Sequence, residues 1–226
     1  MIAYHELILK HPDLFDNKNA LMKIVLDQKV VDEWEANKEV ELMQKGLPLE
    51  WAKLGVVLDD PYNIIVRDLV QFPDGGMRGY GRSIATASLK GGKATVVFPE
   101  YKGKILLIHL FRHVTRKWHY EIPRGYGEPN VSPEENAYKE IKEETGSEVS
   151  ELINLGEIYN NNGYEAVPVS LFFAKLKSVG MANINEGIES FVWLTVDELE
   201  DWIESGKIND GFTVASYARA KLKGLI

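Results

Sequence analysis

One stretch of the sequence, residues 121–147, constrains the fold most, because its second half predicts a helix with both ends marked. Ser132 has the side chain of a good N-cap, and Pro133 suits the first helical position. Glu135 stands where the partner of a capping box belongs. Gly146 is the residue type that most often ends a helix in the left-handed conformation. The sequence therefore predicts a short helix between Ser132 and Gly146.

Three carboxylates share one face of this predicted helix. Glu140, Glu143 and Glu144 stand at positions i, i+3 and i+4, and like charges at that spacing cost about 0.2–0.5 kcal/mol per pair. The last two also lie near the negative end of the helix dipole, where a cation is favoured. A divalent cation would resolve this conflict, because Mg2+ and Mn2+ prefer oxygen ligands. From the spacing alone, a solvated acidic helix face is the alternative.

The composition narrows the classes of protein to which this chain can belong. Its 226 residues are 45% hydrophobic and 27% charged, which suits one globular domain with an extension. The net charge of −8 argues against nucleic-acid backbone as the main partner, although a nucleotide substrate needs only a local positive pocket. The chain has no cysteine, no apolar run near the roughly 18 residues of a membrane span and no secretory pattern at its start. We therefore expect a cytoplasmic protein.

The sequence predicts a division into residues 1–58 and residues 59–226. Apolar residues at helical spacing dominate the first part, and Asp59-Asp60-Pro61 marks the boundary. Strand patterns follow, including two strands joined by the turn signal of residues 73–76. Residues 1–58 contain no motif that indicates chemistry. A structural or dimer-forming role and a role as a substrate-contacting lid are both open for them.

The region of the predicted helix resembles the Nudix box, in which a loop glycine and a fixed spacer precede the helical sequence R-E-U-x-E-E-x-G, with U apolar. Gly125 matches the loop glycine, and Lys139 to Gly146 match the helical part. The surrounding chain, from about Tyr62 to the C-terminus, is also similar to the family. The resemblance implies an α/β fold, the Nudix α/β/α sandwich with a mixed sheet. Here a mostly helical N-terminal extension and a β-hairpin precede it.

Three positions depart from the box. Val131 replaces its first glutamate, Lys139 its arginine and Ser147 its last apolar residue. In the family, that glutamate and arginine mostly brace the loop against the helix. Because Val131 leaves Lys139 without this partner, the bracing must differ in this chain.

The metal ligands of the family are retained. The resemblance implies that Mg2+, or Mn2+, is bound by four groups: the carboxylates of Glu140, Glu143 and Glu144 and the backbone carbonyl of Arg124. The three glutamates are accordingly the predicted catalytic residues. A later polar loop supplies an acidic residue in the family, which acts as a base or as an additional ligand. Glu186 is the first candidate for this role, and Glu189 is the second.

The segment before the box resembles the approach of ADP-ribose-type Nudix enzymes, Q-Y-R…W-x-x-E-x-P-A-G. It implies substrate contacts by Arg112, Arg116, Trp118, Glu121 and Arg124. A guanidinium group binds phosphate in a bidentate manner or stacks on a base, and a tryptophan covers a base or a ribose. Without the resemblance, the arginines are equally typical of surface charges and the tryptophan of a core residue.

A second segment after the box, residues 155–163, resembles the L-G-x-x-Y-x-S-P-G run of ADP-ribose pyrophosphatases. The proline of that run helps to recognise the substrate in the family. Asn162 replaces it here, and Asn161 replaces the serine. Asparagine tolerates tight turns, so the loop can keep its shape with altered contacts, and Asn162 is a predicted substrate contact.

These features together predict Mg2+-dependent hydrolysis of the diphosphate linkage in a nucleoside diphosphate joined to another group, with ADP-ribose or a related nucleotide sugar first. The hairpin resembles strands that cross to the partner subunit in dimeric ADP-ribose pyrophosphatases, which implies a homodimer. The second hypothesis is a Nudix-fold module that binds a nucleotide without hydrolysing it, because of the substitutions at Val131, Lys139 and Asn162. A purely structural acidic protein, the third hypothesis, would bind neither metal nor nucleotide.

Overall fold

The computed structural model describes residues 2–226, and the chain divides into two units. The first unit spans the chain up to Leu89 and includes Asn161–Val167, and the second contains Lys90–Asn160 and Pro168–Ile226. This division falls after the β-hairpin, whereas the sequence placed a boundary before it. The extent of the two predicted domains, 1–58 and 59–226, stays a prediction.

The first unit is built on a four-stranded antiparallel sheet, in which β3 pairs with β1, β2 and β4. Its elements are α1 (Tyr4–Lys10), β1 (Lys23–Ile24), α2 (Gln28–Gln44), β2 (Gly55–Asp59), β3 (Asn63–Gln71) and β4 (Met77–Ala85), with 3-10 turns at Pro12–Phe15, Leu49–Trp51 and Thr86–Lys90. Strands β3 and β4 form the predicted hairpin, whose turn is closed by a hydrogen bond from the backbone N–H of Phe72 to the carbonyl of Gly76. The hairpin and the helical start of the chain are therefore confirmed.

The second unit contains a seven-stranded sheet in the order β11-β6-β5-β10-β9, with β7 paired to β6 and β8 paired to β5. Its elements are β5 (Thr95–Tyr101), β6 (Lys104–Arg112), β7 (Lys117–Glu121), β8 (Arg124–Gly125), α3 (Pro133–Thr145), β9 (Glu148–Ile158), β10 (Val169–Ser178), a 3-10 turn at Ile184–Glu186, β11 (Ile188–Leu194), α4 (Val196–Glu204) and α5 (Gly211–Leu222). Only β5 and β10 run parallel among these pairs, so the sheet is mixed, as predicted.

Helices cover both faces of this sheet. Successive residues of a strand point to opposite faces, so neighbouring residues contact different helices. Val96 of β5 belongs to a core that includes Leu199 of α4 and Phe212 of α5. Its neighbour Val97 belongs to a second core that includes Ile141 of α3. The α/β/α sandwich is therefore confirmed, with α3 on one side and α4 and α5 on the other. Among residues 2–226, no helix combines the length and the apolar character needed to cross a membrane.

Candidate active site

Helix α3 forms as its sequence predicts, and its ends fix the position of the acidic face. The hydroxyl of Ser132 accepts a hydrogen bond from the backbone N–H of Glu135 at 3.2 Å, and the carboxylate of Glu135 accepts one from the backbone N–H of Ser132 at 3.0 Å. Gly146 follows the helix at φ 63°, in the left-handed region. These local interactions set where α3 begins and ends, and therefore which direction its three glutamates face.

Glu140 and Glu144 are held against the turn that precedes the helix. Glu144 is 8% exposed, and its carboxylate accepts a hydrogen bond from the backbone N–H of Arg124 at 3.2 Å. Glu140 is partly buried and lies directly over Gly125, where a Cβ atom would overlap its carboxylate. Only glycine leaves room for Glu140 at this position, which gives the loop glycine of the motif a steric reason.

Burial and mutual repulsion disfavour the charged forms of these two carboxylates. Loss of solvent, followed by the charge of Glu143, raises the pKa of Glu140 to about 7. Loss of solvent, followed by the charge of Glu140, raises the pKa of Glu144 to about 8. The charge of Glu186 contributes to both shifts, so this loop residue lies within electrostatic reach of the pair. Two acids that resist ionisation in one place are typical of a site that receives a cation.

Glu143 has a different environment from the other two glutamates. Its carboxylate is exposed and lies 3.8 Å from Nζ of Lys139. Lys139 also forms an ion pair with Glu128 in the turn before the helix. Glu128 therefore provides the acidic partner that Val131 does not, three residues earlier in the same turn.

The fit of these residues to a divalent cation rests on their donor chemistry. Glu140 and Glu144 supply carboxylate oxygens without an ion pair among the described residues, and hard cations prefer such ligands. Within residues 2–226, no three His, Cys, Asp or Glu side chains are gathered closely enough to form a complete metal-binding group. By donor type alone, the carboxylates suit Mg2+ or Mn2+, and Glu143 lies beside Lys139.

Three of the predicted substrate contacts form one buried network. Glu121 is 2% exposed, and its Oε2 accepts hydrogen bonds from Nε of Arg112 and from Nη2 of Arg124, each at 2.9 Å. The guanidinium of Arg124 also lies 3.4 Å from Oδ1 of Asp210 and 4.9 Å from the ring centre of Phe212. The structure thus brings Arg112, Glu121 and Arg124 together. The carboxylate of Glu121 is therefore already bound by two guanidinium groups.

Arg116 and Trp118 lie apart from this network. Trp118 is directly opposite Phe111 in the β6–β7 pair, and its ring stacks on His109 at 4.8 Å. Since side chains alternate along a strand, this places Trp118 on the hairpin face opposite to that of Arg112. Arg116 lies in the hairpin turn with φ 54°, and its guanidinium lies 5.1 Å from the ring centre of Phe111. Both side chains are exposed and remain predicted substrate contacts.

The two candidate bases have contrasting surroundings. Glu186 ends the 3-10 turn that follows Asn183, and Asn183 is tied to the end of α3 by a hydrogen bond from its Nδ2 to the carbonyl of Glu143 at 3.1 Å. Glu189 instead pairs with Nδ1 of His109 at 2.8 Å. Glu186 is therefore the one whose charge acts on Glu140 and Glu144.

Asn162 belongs to the segment 161–167, which groups with the first unit, and it is exposed to solvent. Its role as a substrate contact stays a prediction. Sequence reasoning also missed three residues around the acidic face, namely Asn136, Glu128 and Asp210. Asn136 had a usable signal, because asparagine is a poor helix former and stands beside apolar Ala137 within the predicted helix. Nothing local indicated the partners of the other two.

The sandwich and its acidic helix define a class of α/β proteins in which a helix holds a buried and a partly buried carboxylate against a glycine turn. A family model described as NUDIX domain matches residues 91–211. The chain therefore belongs to the NUDIX family and is a Nudix hydrolase, and its general activity is the hydrolysis of a nucleotide diphosphate. The family, the fold class and the enzyme class that the sequence predicted are confirmed.

Two curated proteins and a solved structure show what this chain is similar to. The "ADP-ribose pyrophosphatase" of Bacillus subtilis (strain 168) is 29% identical over 135 residues, which cover 58% of this chain and 73% of that protein. The "Methanol dehydrogenase activator" of Bacillus methanolicus is 27% identical over 135 residues, with the same coverage. A structure titled "Crystal structure of ADP compounds hydrolase" superposes with a TM-score of 0.64 at 20% identity, covering 76% of this chain and 93% of that chain, and it supports the fold alone.

Proposed function

We propose that this protein hydrolyses the diphosphate linkage of a nucleoside diphosphate joined to another group, in a reaction that depends on Mg2+. ADP-ribose or a related nucleotide sugar is the first candidate substrate. The observation that carries the proposal is the pair of carboxylates, Glu140 and Glu144, whose pKa values are raised to about 7 and about 8 by burial first and then by neighbouring carboxylates. The similarity to a protein named ADP-ribose pyrophosphatase supports the substrate class.

The metal would be held by the glutamates of the α3 face and by the carbonyl of Arg124. When bound, a divalent ion neutralises phosphate charge and lowers the pKa of a coordinated water. Glu143 is free to join Glu140 and Glu144, because an exposed ion pair such as the one with Lys139 is worth at most about 1 kcal/mol. Mn2+ is an alternative to Mg2+, since it shares the preference for oxygen.

The remaining residues have separate roles in this proposal. Glu186 accepts the proton of the attacking water, because its charge already reaches the acidic pair, and Glu189 is the second candidate. Arg112 and Arg124 hold phosphate oxygens with the N–H groups that Glu121 leaves available, and Glu121 fixes their orientation. Arg116 and Trp118 contact the more distant part of the substrate, and Asn162 takes the place of the family proline.

A substrate panel with product identification by mass spectrometry tests the proposal. ADP-ribose, other nucleoside diphosphate sugars and dinucleotides are each incubated with Mg2+, with Mn2+ and with a chelator. We expect two phosphate-containing products from ADP-ribose or a nucleotide sugar, and none in the chelator. Nucleotide binding in calorimetry without any product would instead support the binding module that the substitutions at Val131 and Asn162 suggested.

We also propose a homodimer that forms through the first unit. Helix α2 has 17 residues, yet Leu42 is its only buried residue. Nearby apolar side chains are largely exposed: Val40 by 54%, Met43 by 66% and Trp51 by 52%. Exposed apolar groups of this density are typical of a surface that another subunit covers.

Light scattering after size-exclusion chromatography tests the homodimer. We expect about twice the chain mass of 25.6 kDa for the natural protein and the monomer mass for Met43→Lys. A monomer in both would overturn this proposal. The predicted cytoplasmic location stays a prediction, which fractionation of cells decides.

A further inference from the structure

Side-chain contacts, in addition to the continuous backbone, hold the turn between β8 and α3 against the helix. It begins at Gly125, over which Glu140 lies, and passes through Gly127, where a Cβ atom would overlap the backbone of Lys93. At its end, the N–H of Asn130 donates to the carbonyl of Lys90 at 3.0 Å. This turn carries the backbone that contacts both buried glutamates, so its placement determines the geometry of the acidic site.

The side chain of Asn136 links three elements at the centre of this turn. Asn136 is fully buried on α3, one helical turn before Glu140 and on the same face. Its Nδ2 donates to Oγ1 of Thr95 on β5 at 2.9 Å and to the backbone carbonyl of Tyr126 at 3.3 Å. One amide therefore joins the helix, the sheet and the turn.

An asparagine at this position carries a cost that an apolar residue would avoid. Its Oδ1 is buried and has no hydrogen-bond partner among the described residues, and asparagine is a poor residue for a helix interior. Ala137 and Ile141, on the same helix, pack into an apolar core. The hydrogen bond to Tyr126 is the feature that an apolar side chain could not supply.

A second link connects the other side of the turn to the same helix. Glu128 forms an ion pair with Lys139, the residue directly before Glu140. This pair is partly exposed, whereas the hydrogen bond from Asn136 to Thr95 is buried and the one to Tyr126 is partly buried. The two links together join the turn to α3, one in the interior and one at the surface. They act in a chain in which Val131 replaces the glutamate that usually braces this turn.

We propose that Asn136 is a positioning residue for the hydrolytic reaction: it holds the turn at Tyr126 so that Arg124 and Gly125 stay in register with Glu140 and Glu144, and Glu128 supports this turn from its outer side. The role in the reaction rests on the proposed function. Loss of the amide displaces the turn and lowers kcat, because groups around a reacting centre tolerate little misplacement. KM changes little, since Asn136 is buried beneath the turn.

Amide hydrogen exchange of the full-length protein, without metal or substrate, measures the turn directly. We expect Asn136→Ala to raise exchange in the peptide covering residues 124–131 by about tenfold, while peptides of β6 and β10 are unchanged. In steady-state assays we expect kcat to fall roughly 10²-fold with KM within about threefold. Glu128→Gln should produce the same pattern with smaller changes, about threefold in each quantity.

Two further variants complete the experiment. Thr95→Val removes one acceptor of Asn136 while preserving the side-chain shape, and it replaces Asn136→Ala if that variant does not fold. We expect a smaller rise in exchange, confined to the same peptide. Glu134→Gln, in the exposed first turn of the same helix, is the matched control for Glu128→Gln, and we expect no change in either measurement.

The outcomes separate this inference from the proposed function. Unchanged exchange in residues 124–131 for the variants at Asn136 or Thr95, or an equal rise throughout the sheet, would overturn the inference. A kcat within about threefold of the natural value in a folded Asn136→Ala protein would overturn its role in the reaction. If the natural protein hydrolyses none of the panel substrates, the proposed function fails, while the exchange measurements still decide whether Asn136 holds the turn.

Discussion

Asp68 in the first unit and Glu144 in the second are both buried acids, but their charges have different surroundings. Asp68 in the first unit is 2% exposed, and its carboxylate is paired with Nε of Arg82 at 2.7 Å and bonded by the hydroxyl of Tyr4. Glu144 in the second unit is 8% exposed and receives only a backbone N–H from Arg124, with other acids nearby. Removing one partner of a buried ion pair destabilises the fold, whereas a buried acid without such a partner is suited to an ion from outside.

The largest expected effect comes from removing the charge of an unpaired acid. Glu144→Gln should lower kcat by roughly 10³-fold, because several kcal/mol of charge stabilisation depend on the ion that it holds. Without metal and above pH 8, where Glu144 is charged, the thermal stability of this variant should be equal to or above that of the natural protein, since the amide keeps its shape and removes a desolvated charge. Steady-state kinetics and a thermal melt measure both quantities. A loss of stability together with an unchanged kcat would show that Glu144, like Asp68, serves the fold and not the reaction.

The paired acid should respond in the opposite way. Asp68→Asn is expected to lower the free energy of unfolding by about 3 kcal/mol, because it leaves the largely buried Arg82 without its counter-charge. Urea denaturation followed by tryptophan fluorescence measures this change. As the control, Glu157→Gln removes a partly exposed partner of Lys93 and should cost less than about 1 kcal/mol. Equal costs for the two variants would show that burial of the pair does not matter.

The loop glutamates offer the same contrast on a smaller scale. Glu186 has no ion pair among the described residues, whereas Glu189 pairs with His109. Glu186→Gln should lower kcat by about 10²-fold, as expected when a general base is lost, and Glu189→Gln should lower it by less than about threefold. Assays of both variants at saturating Mg2+ measure this difference. A larger loss for Glu189→Gln would exchange the two assignments.

The last expected effect is a dependence of stability on pH in the metal-free protein. The pKa values of Glu140 and Glu144 are raised to about 7 and about 8 by burial first, so the folded state binds protons that the unfolded state releases above about pH 4.5. Their contribution to stability is therefore greatest at low pH and is lost as the pH rises through 8. Added Mg2+ should raise the melting temperature more at pH 8.5 than at pH 6.

The double variant Glu140→Gln/Glu144→Gln is the control for this pH dependence. It should show a flatter decline in melting temperature between pH 5 and pH 8.5 and a smaller response to Mg2+, because neither amide titrates. The same slope in the natural protein and in the double variant would assign the pH dependence to other groups.

Helix α3 shows how much of the candidate site can be predicted without a structure. Its capping box, its first-turn proline and its terminal glycine act between residues at most four apart, so local sequence determines where Glu140 and Glu144 stand. The continuous apolar runs of β5, β6 and β10 are likewise typical of a sheet that is buried on both sides. These features depend on residues that are close together in the sequence, so a single sequence is enough to predict them.

The partners of charged groups could not be predicted in this way. Arg112 and Glu121 meet because β6 and β7 pair in one register, and Arg124 reaches Asp210 because α5 begins beside it. No local pattern indicated that Glu128 would pair with Lys139. Such contacts join residues from different elements, and only the packed chain brings them within hydrogen-bond distance.

The sequence by itself determined the acidic helix, the fold class and the family. Tertiary structure alone decided which acids have a basic partner. Glu121 is paired with two arginines, whereas Glu144 accepts a hydrogen bond from a backbone N–H only. The physical reason is that helix caps and strand alternation arise from neighbours along the chain, whereas the ionisation of a carboxylate depends on solvent exclusion and on charges that folding brings together.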